Sequence, residues 1–229
     1  RITAPLVFAG TLCRQALEQR GITIGSHITK LYNVTEPRFT RGTLTKETLC
    51  WLGQQTVPVL AKEHADTIAL RIEAARMELN SLGGIVETAI LGIPAGLGDP
   101  FFDSMESRLA HILFSVPAVK GVSFGIGADF ADMTGAEAND PYTVEDGQIR
   151  TVTNHNGGIL GGITNGMPLT FETVIKPTRS QQSVDLETGQ IETLTIVGRH
   201  DPCIVPRAIP VLEAAAAIAI YDAWKGAKI

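Results

Sequence analysis

Five consecutive residues near the carboxyl end of the chain bring a cation, an imidazole, a carboxylate and a thiol into one short segment. The run is Arg199-His200-Asp201-Pro202-Cys203, and it follows a predicted strand over 191–198. Asp201 could act as an acid, a base or an orienting carboxylate, and Arg199 could bind a carboxylate or phosphate through two hydrogen bonds. The alternative is a turn that Asp201 caps through the backbone, with Arg199 as its surface partner. The residue types alone leave both interpretations open.

The same run contains the groups of a thiol nucleophile and its base, Cys203 and His200. Such pairs are defined by their geometry in space rather than by proximity in sequence, and these two residues lie three apart on a proline-containing turn. The five histidines of the chain are dispersed, without the spacing of a zinc or iron site. The sequence therefore disfavours both a cysteine nucleophile and a metal centre.

Two further segments could contact an anion or a flat ring. The run GGILGGITNG, residues 157–166, contains paired glycines that permit positive φ and close approach of the backbone to a ligand. Glycines packed where a strand bends explain it equally well, since no Walker lysine or helix-opening GxGxxG follows. The run Lys176-Pro177-Thr178-Arg179-Ser180 combines two cations and two hydroxyls, which suits a cofactor phosphate, although a solvated turn is the alternative.

The elements that must position these segments follow from hydrophobic periodicity. Helical spacing predicts helices over 4–20, 64–82, 103–114 and 209–225. Alternating or β-branched runs predict strands over 22–34, 85–93, 118–125, 157–176 and 191–198. The alternation of helices and strands is typical of a parallel α/β sheet, but the glycine-rich stretch and its neighbouring strands favour antiparallel hairpins. We therefore predict an α+β fold, with one domain over residues 1–229.

Glycine and proline give three local expectations within this scheme. Gly25 is expected to mark a β-bulge, Gly83-Gly84 to end the second helix, and Pro210 to lie in the first turn of the last helix. The segment 42–55 has no assignment.

Composition limits the classes of function. Hydrophobic residues make up 44% of the chain and charged residues 19%, which excludes intrinsic disorder. The 19 Lys and Arg against 24 Asp and Glu give a net charge of −5, which disfavours nucleic-acid binding. The three scattered cysteines indicate reduced thiols, as in the cytoplasm. The chain begins at Arg1 directly with a helical pattern, so we expect it to be a piece of a longer protein.

Taken together, these motifs resemble those of the chorismate synthase family. The run 199–203, followed by Pro210 and Glu213-Ala214, is similar to the family's C-terminal signature, and 157–166 with Asn154 before it is similar to the central one. Segments 93–103 and 115–122 resemble further landmarks of the family. The resemblance covers Arg1 to about Ala223.

The resemblance implies a fold and an activity. The fold is a sandwich with a helical layer between antiparallel sheets, incomplete here at the N-terminus, and the assembly is a cytoplasmic homotetramer. The activity is that of a carbon–oxygen lyase, which converts 5-enolpyruvylshikimate 3-phosphate to chorismate and phosphate by a 1,4-anti elimination that requires reduced FMN. This is the last step of the shikimate pathway. The resemblance leaves open whether the protein reduces the flavin itself with NADPH or depends on an external reductant.

The resemblance also implies roles for individual residues. Asp201 and Arg199 would be catalytic, and Arg1 and Arg199 would contact the small phosphorylated substrate. The implied FMN contacts are Pro117, Ala118, Gly161, Lys176, Pro177, Thr178, Arg179, Ser180 and Arg199. The family's Gly-x-Ser-His-Gly signature, its second catalytic histidine and most of its substrate arginines are not found in this sequence. We therefore expect the 229-residue chain alone to be inactive, and the alternative function is a non-catalytic flavin- or phosphate-binding module.

Overall fold

Helices and short strands alternate along the first half of the chain, and one long helix closes it. The computed structural model describes residues 2–145, 147–178, 182–193 and 201–227. The α-helices within these residues are α1 (Thr3–Glu18), α2 (Lys46–Leu52), α3 (Lys62–Met77), α4 (Met105–Phe114), α5 (Gly135–Ala138) and α6 (Val205–Gly226). The strands are β1 (Thr23–Leu31), β2 (Val34–Thr35), β3 (Gly84–Leu91), β4 (Val119–Phe124), β5 (Tyr142–Glu145), β6 (Gln148–Thr151), β7 (Ile159–Leu160), β8 (Ile163–Thr164), β9 (Leu169–Ile175), β10 (Gln182–Val184) and β11 (Ile191–Thr193).

Five of these strands form one sheet in the order β2-β1-β3-β9-β4, and each neighbouring pair is antiparallel. The remaining strands form three separate hairpins, β5–β6, β7–β8 and β10–β11. Antiparallel pairing and the α+β class are therefore confirmed. The preference for hairpins over a parallel sheet rested on the glycine-rich stretch, and β7 and β8 do form a hairpin there.

A layer of helices covers one face of the large sheet. Helix α6 packs against α1, α4, β1 and β3, and more than half of its residues are buried. The strands present alternate residues to this layer, because successive side chains of a strand point to opposite faces. These inward residues are fully buried and include Ile24, Ile28, Val86, Ile90 and Phe171. No helix in the described ranges is long and apolar enough to cross a membrane.

Glycine and alanine let α1 approach α6 closely. A Cβ atom on Gly10 would lie 2.4 Å from Cβ of Ala214, so no larger residue fits at either position without separating the helices. The last helix, α6, is nearly apolar. Its alanine run, Ala214 to Ala217, is indeed almost entirely buried.

The predictions that Gly25 marks a β-bulge and that Gly83-Gly84 ends the second helix were both wrong, for one physical reason. At Gly25 and at Gly83, glycine is required by a close contact with a residue distant in sequence. At Gly25 the register of β1 with β3 is regular, and the shift falls instead between Ile28 and Lys30. A Cβ on Gly25 would lie 2.7 Å from Cβ of Leu49, so the glycine admits helix α2. Gly83 likewise gives room, because its Cβ would lie 2.6 Å from the carbonyl oxygen of Ile175.

Helix ends also differ from the predicted ones. Helix α3 ends at Met77, five residues before the predicted Leu82, and Leu79 has a φ of 55° in the turn that follows. Helix α6 begins at Val205 with a proline in its first turn, so Pro210 lies inside the helix and not at its start. The predicted strand over 22–34 is broken at Tyr32, whose φ of 53° forms the turn between β1 and β2.

The segment left unassigned in the sequence contains α2. Thr45 caps this helix, because its side chain accepts a hydrogen bond from the backbone N–H of Thr48. Leu49 and Leu52 are buried on the sheet face opposite the helical layer, where they contact Ala89. Seven residues with two anchoring leucines are too short for periodicity to identify.

One buried ion pair links the two central helices to the sheet. Arg14 of α1 donates to the Glu213 carboxylate of α6 at 2.7 Å and to the carbonyl oxygen of Ile24 at 2.9 Å. Burial raises the pKa of Glu213 above its usual value, while Arg14 and Ser26 act in the opposite direction. Because the pKa of Glu213 is raised in the folded state, ionisation of this carboxyl group lowers the stability of the fold, and its protonation raises it.

We expect Arg14→Met to lower the free energy of unfolding by about 3 kcal/mol, since it leaves a buried carboxylate without its cation. Glu213→Gln should cost only about 1 kcal/mol, because the amide can still accept from Arg14. The defect of Arg14→Met should be larger near pH 8 than near pH 5, since raising the pH through the elevated pKa of Glu213 ionises it. Urea unfolding at both values measures this.

The matched control is Arg71→Met, which removes an exposed arginine of α3 and should leave stability within about 0.5 kcal/mol. Equal losses for Arg14→Met and Arg71→Met, or a loss independent of pH, would contradict the assignment.

Candidate functional site

Two predicted cofactor segments meet at one end of the large sheet. The backbone N–H of Lys176, just after β9, donates to the carbonyl oxygen of Ala118, just before β4, at 2.9 Å. Ala118 has a φ of 73°, an unusual value for a residue with a Cβ atom. Pro117 precedes it, and Pro177 and Thr178 continue the exposed turn. Of the predicted contacts, the structure thus brings Ala118 and Lys176 together.

The loop that leads into α6 lies at the same end of the sheet. Leu82 donates through its backbone N–H to the carbonyl oxygen of Pro202 at 2.8 Å and forms an isolated parallel bridge with Cys203. The next residue, Gly83, abuts Pro177, whose Cδ would lie 2.8 Å from a Cβ at that position. The segment Leu82-Gly83 therefore connects the Asp201 loop to the Lys176 turn.

The Asp201 carboxylate is held by its own loop. Its Oδ1 accepts from the backbone N–H of Cys203 at 3.3 Å, and its Oδ2 lies 2.9 Å from the guanidinium of Arg207. This is the turn-capping arrangement considered above, with Arg207 as the ionic partner. About a fifth of the Asp201 side chain, 22%, remains exposed, so a ligand can reach the carboxylate.

Cys203 has no properties of a nucleophile. The residue is buried, and burial raises the pKa of its thiol to about 11. Because the thiolate is the reactive form, the thiol is inert near neutral pH. The sequence-based rejection of this residue as a nucleophile agrees with its environment. His200 lies outside the described residues.

Several predicted site residues cannot be placed. Arg1, Arg179, Ser180 and Arg199 lie outside the described residues. The assignments made to them by resemblance stay predictions.

Gly161 lies at the other end of the sheet from Lys176. It forms the tip of the β7–β8 hairpin, and the carbonyl oxygen of its neighbour Gly162 accepts from the N–H of Met105, the first residue of α4. Ala118 instead precedes β4, which starts after the last turn of α4. Six strand residues at roughly 3.3 Å each separate the two ends by about 20 Å. One copy of the chain therefore does not bring Gly161 to the Lys176 turn.

The glycines of the run 157–166 are not all required for the same physical reason. Gly157 packs against Gly125, since a Cβ on Gly157 would lie 2.4 Å from the Gly125 nitrogen, and Gly158 packs against Pro168. At Gly157 and Gly158, close packing against the backbone leaves no space for a Cβ atom. Gly161 has a φ of 58°, and a Cβ there would meet nothing within 4 Å. Of these three glycines, Gly161 is the one whose surroundings leave space for a ligand or a partner.

Comparison with known protein families gives a match over most of the chain. The profile of the family described as "Chorismate synthase" matches residues 1–224. The chain belongs to the chorismate synthase family.

Relatives and a solved structure agree with this. A chorismate synthase of Lancefieldella parvula is 39% identical over 97% of this chain, and one of Thermococcus gammatolerans is 40% identical over 99%. A crystal structure of chorismate synthase superimposes with a TM-score of 0.79 at 26% identity over 96% of the chain. The chain spans 62% to 64% of the length of these proteins.

A row of polar residues on the sheet face opposite the helices was missed by sequence reasoning. His27, Glu87 and Glu172 lie opposite one another across β1, β3 and β9, and all three are buried. His27 Nε2 lies 2.8 Å from Glu87 Oε2. Arg38 reaches over the sheet and donates to both oxygens of Glu172, at 3.0 and 2.8 Å. The signal in the sequence was polar residues at alternate strand positions.

Arg38 also joins this sheet to the loop after β4. It contacts Asp129 at 2.6 Å as well as Glu172. The hydrogen bond with Glu172 is the main cause that raises the pKa of Arg38 above its usual value. A permanently charged group is thus placed beside a buried carboxylate, which offsets the cost of burying it.

Asp140 fixes the loop that leads into the glycine-rich run. Its buried carboxylate accepts from Thr153 Oγ1 and from the backbone N–H of His155, both at 2.7 Å, and from Asn156 N and Nδ2 at 3.0 and 2.8 Å. Burial alone would raise the pKa of Asp140, but the hydrogen bonds from Asn156, Thr153 and His155 outweigh it and lower the pKa. The ionised form is therefore the one that stabilises this loop.

We expect Asp140→Asn to lower the free energy of unfolding by about 2 kcal/mol near neutral pH. The new side-chain NH₂ group would face the hydroxyl and N–H groups that now donate to the carboxylate, so hydrogen bonds would be lost. The depressed pKa of Asp140 means that its stabilisation is present above the ordinary aspartate pKa, about 3.9, and is lost as the pH falls through the folded value. The gap between wild type and variant should therefore narrow below about pH 4. Urea unfolding across this range measures it.

Asp66→Asn, at an exposed position on α3, is the control and should change stability little at any pH. A constant gap across the pH range would contradict a charge-dependent role for Asp140.

Proposed function

We propose that the protein containing this chain is a chorismate synthase of the cytoplasm. Its substrate would be the small phosphorylated molecule 5-enolpyruvylshikimate 3-phosphate, and its reaction the 1,4-anti elimination that yields chorismate and phosphate, a carbon–oxygen lyase reaction. Family membership over residues 1–224 supports this. The observation that carries it is the meeting of Ala118, Lys176 and the Asp201 loop at one end of the sheet.

The residues at this end fit a phosphorylated flavin. Lys176 is exposed and makes no ion pair with any described residue, so its ammonium group is available to an anion. Charge-assisted contacts of this type are among the stronger hydrogen bonds that bind phosphate. We assign FMN to Pro117, Ala118, Lys176, Pro177 and Thr178, joined by Arg179, Ser180 and Arg199 from outside the described residues.

When bound, reduced FMN would supply electron density to the substrate while phosphate leaves and would take up the C6 hydrogen. The chain's own residues would bind and orient. Arg1 and Arg199 would hold the anionic groups of the substrate, since a preorganised cation best meets charge developing on a leaving phosphate. Asp201 would tune protonation at the flavin N5, and its contacts with Arg207 and Cys203 N fix its orientation.

A further part of the fold lies with the portion of the relatives that this chain does not match. The outer face of α1 carries exposed apolar side chains, with Phe8 70% and Leu12 54% exposed. Such a stripe on a helix is typical of a surface that packs against another element. We propose that the second antiparallel sheet of the sandwich covers this face, and that residues 1–229 then form one domain with it.

We also propose a homotetramer in which the Gly161 hairpin approaches the flavin site of another copy. Gly161 lies about 20 Å from the Lys176 turn within one copy, by the strand length given above. Next to this hairpin, Phe101 and Phe102 are 88% and 92% exposed. Sedimentation velocity of the full-length protein should give the mass of four copies, and Phe102→Ser should shift it toward smaller species. A wild-type monomer would refute the assembly.

Turnover tests the proposed function directly. The full-length protein, supplied with reduced FMN without oxygen, should form chorismate and phosphate in equal amounts from 5-enolpyruvylshikimate 3-phosphate. The 229-residue chain alone should form neither, because the family's histidine signature is not in it. Flavin binding without turnover by the full-length protein would favour the alternative, a non-catalytic flavin- or phosphate-binding module.

Lys176→Ala in the full-length protein gives the residue-level test. It should weaken FMN binding by about tenfold, the effect of losing one charge-assisted hydrogen bond. The control Lys62→Ala removes an exposed lysine from the first turn of α3 and should bind FMN as the wild type does. Unchanged affinity in Lys176→Ala would remove this turn from the site while leaving the reaction itself untouched.

A further inference from the structure

A cavity lies on the sheet face opposite the helices, away from the Lys176 turn. Its volume is about 300 Å³, which is within the range of small-molecule sites. Glu87 of β3 and Thr170 of β9 line it from the sheet, and the loops 38–44 and 151–155 form its walls. No residue of the Lys176 turn or of the Asp201 loop contributes to it.

Apolar side chains make up much of the wall. They come from both loops and from the approach to β9, and are Phe39, Leu44, Ile126, Val152, Met167 and Pro168. Phe39 also covers His27, with ring centroids 4.2 Å apart. A ligand body here would therefore be apolar and of the size of a single ring.

The lining of the cavity contains two arginines and one carboxylate, and both arginines have acidic partners outside the lining. Arg38 is paired with Glu172 and Asp129, and Arg41 with Glu145, so both arginines are neutralised. Glu87 is the carboxylate of the lining, and no lysine lines the cavity. With both arginines paired, the Glu87 carboxylate favours a cationic ligand over an anionic one.

One oxygen of the Glu87 carboxylate accepts hydrogen bonds from described residues, and the other accepts none. Its Oε2 accepts from His27 Nε2 at 2.8 Å and from the backbone N–H of Phe39 at 2.7 Å. Its Oε1 makes no hydrogen bond to any described residue. The opposite wall contains a second acceptor, Asn154 Oδ1, which is buried and unpaired while the Asn154 amide nitrogen donates to Pro168 O. A buried acceptor without a partner is costly, so a donor at this point would be favoured.

We propose that this cavity binds a small organic ammonium ion, with an apolar ring against Phe39, Leu44 and Met167 and the ammonium group on Glu87 Oε1. His27 is a positioning residue. Its Nε2–H holds Oε2, which leaves Oε1 turned to the ligand. The site is distinct from the proposed flavin site, because it lies on the middle of the sheet face and not at the Lys176 end.

Calorimetric titration of the full-length protein with 2-phenylethylamine, at neutral pH where the amine is protonated, tests the proposal. The matched probe is 2-phenylethanol, which has the same ring and length but no charge. We expect saturable binding of the amine and about tenfold weaker binding of the alcohol, as expected for loss of a hydrogen bond to a charged group. No binding of the amine, or equal affinity for both probes, would overturn the proposal.

Two variants locate the site. Glu87→Gln should abolish the preference for the amine, whereas Glu73→Gln, at an exposed carboxylate on α3, should retain it. Leu44→Trp should block both probes by filling the cavity while leaving Glu87 in place, so it decides the question if Glu87→Gln does not fold. Preference retained in Glu87→Gln, or binding unchanged in a folded Leu44→Trp, would place the amine elsewhere and overturn the proposal.

Discussion

The carboxylates of Glu87 and Glu172 face each other across β3 and β9, both buried, and the outer face of the sheet is organised around them. Like charges directly opposite on a sheet repel each other, and burial increases the cost. The chain compensates from both sides, with His27 on Glu87 and Arg38 on Glu172. Because Arg38 and Phe39 come from the loop after β2, the compensation fixes that loop over the sheet and creates the cavity beneath it.

The helical face is mostly apolar, and its buried hydroxyls of Ser26 and Thr88 pair with each other at 2.9 Å. Gly10 and the alanine run of α6 bring two helices into backbone contact, which leaves little space for side chains between them. The carboxylate of Glu213 is also buried there, and Arg14 reaches it from the more exposed side of α1. Close packing and one paired carboxylate together fix the rotation of α6 and so the position at which its first turn, with Arg207, meets Asp201.

Sequence reasoning succeeded where local pattern decides the structure. Helices α1, α4 and α6 and strands β3 and β4 lie close to their predicted ranges, because each has an apolar periodicity of its own. It failed at Gly25 and Gly83, where the reason for glycine is a neighbour distant in sequence. The row of His27, Glu87 and Glu172 was missed for a related reason. Only the register of three strands brings these residues side by side.

The same distinction applies to the candidate site. Resemblance to the family predicts the Lys176 turn, Ala118 and Asp201 as site residues, and local chemistry explains why the lysine suits an anion. Neither could tell that Gly161 lies at the far end of the sheet, since β9 and β4 separate the two segments in space although they are close in sequence. Within one copy, Lys176 and Gly161 lie at opposite ends of the sheet, about 20 Å apart. The hairpin tip, with space around Gly161 and two exposed phenylalanines beside it, is instead suited to a contact between copies.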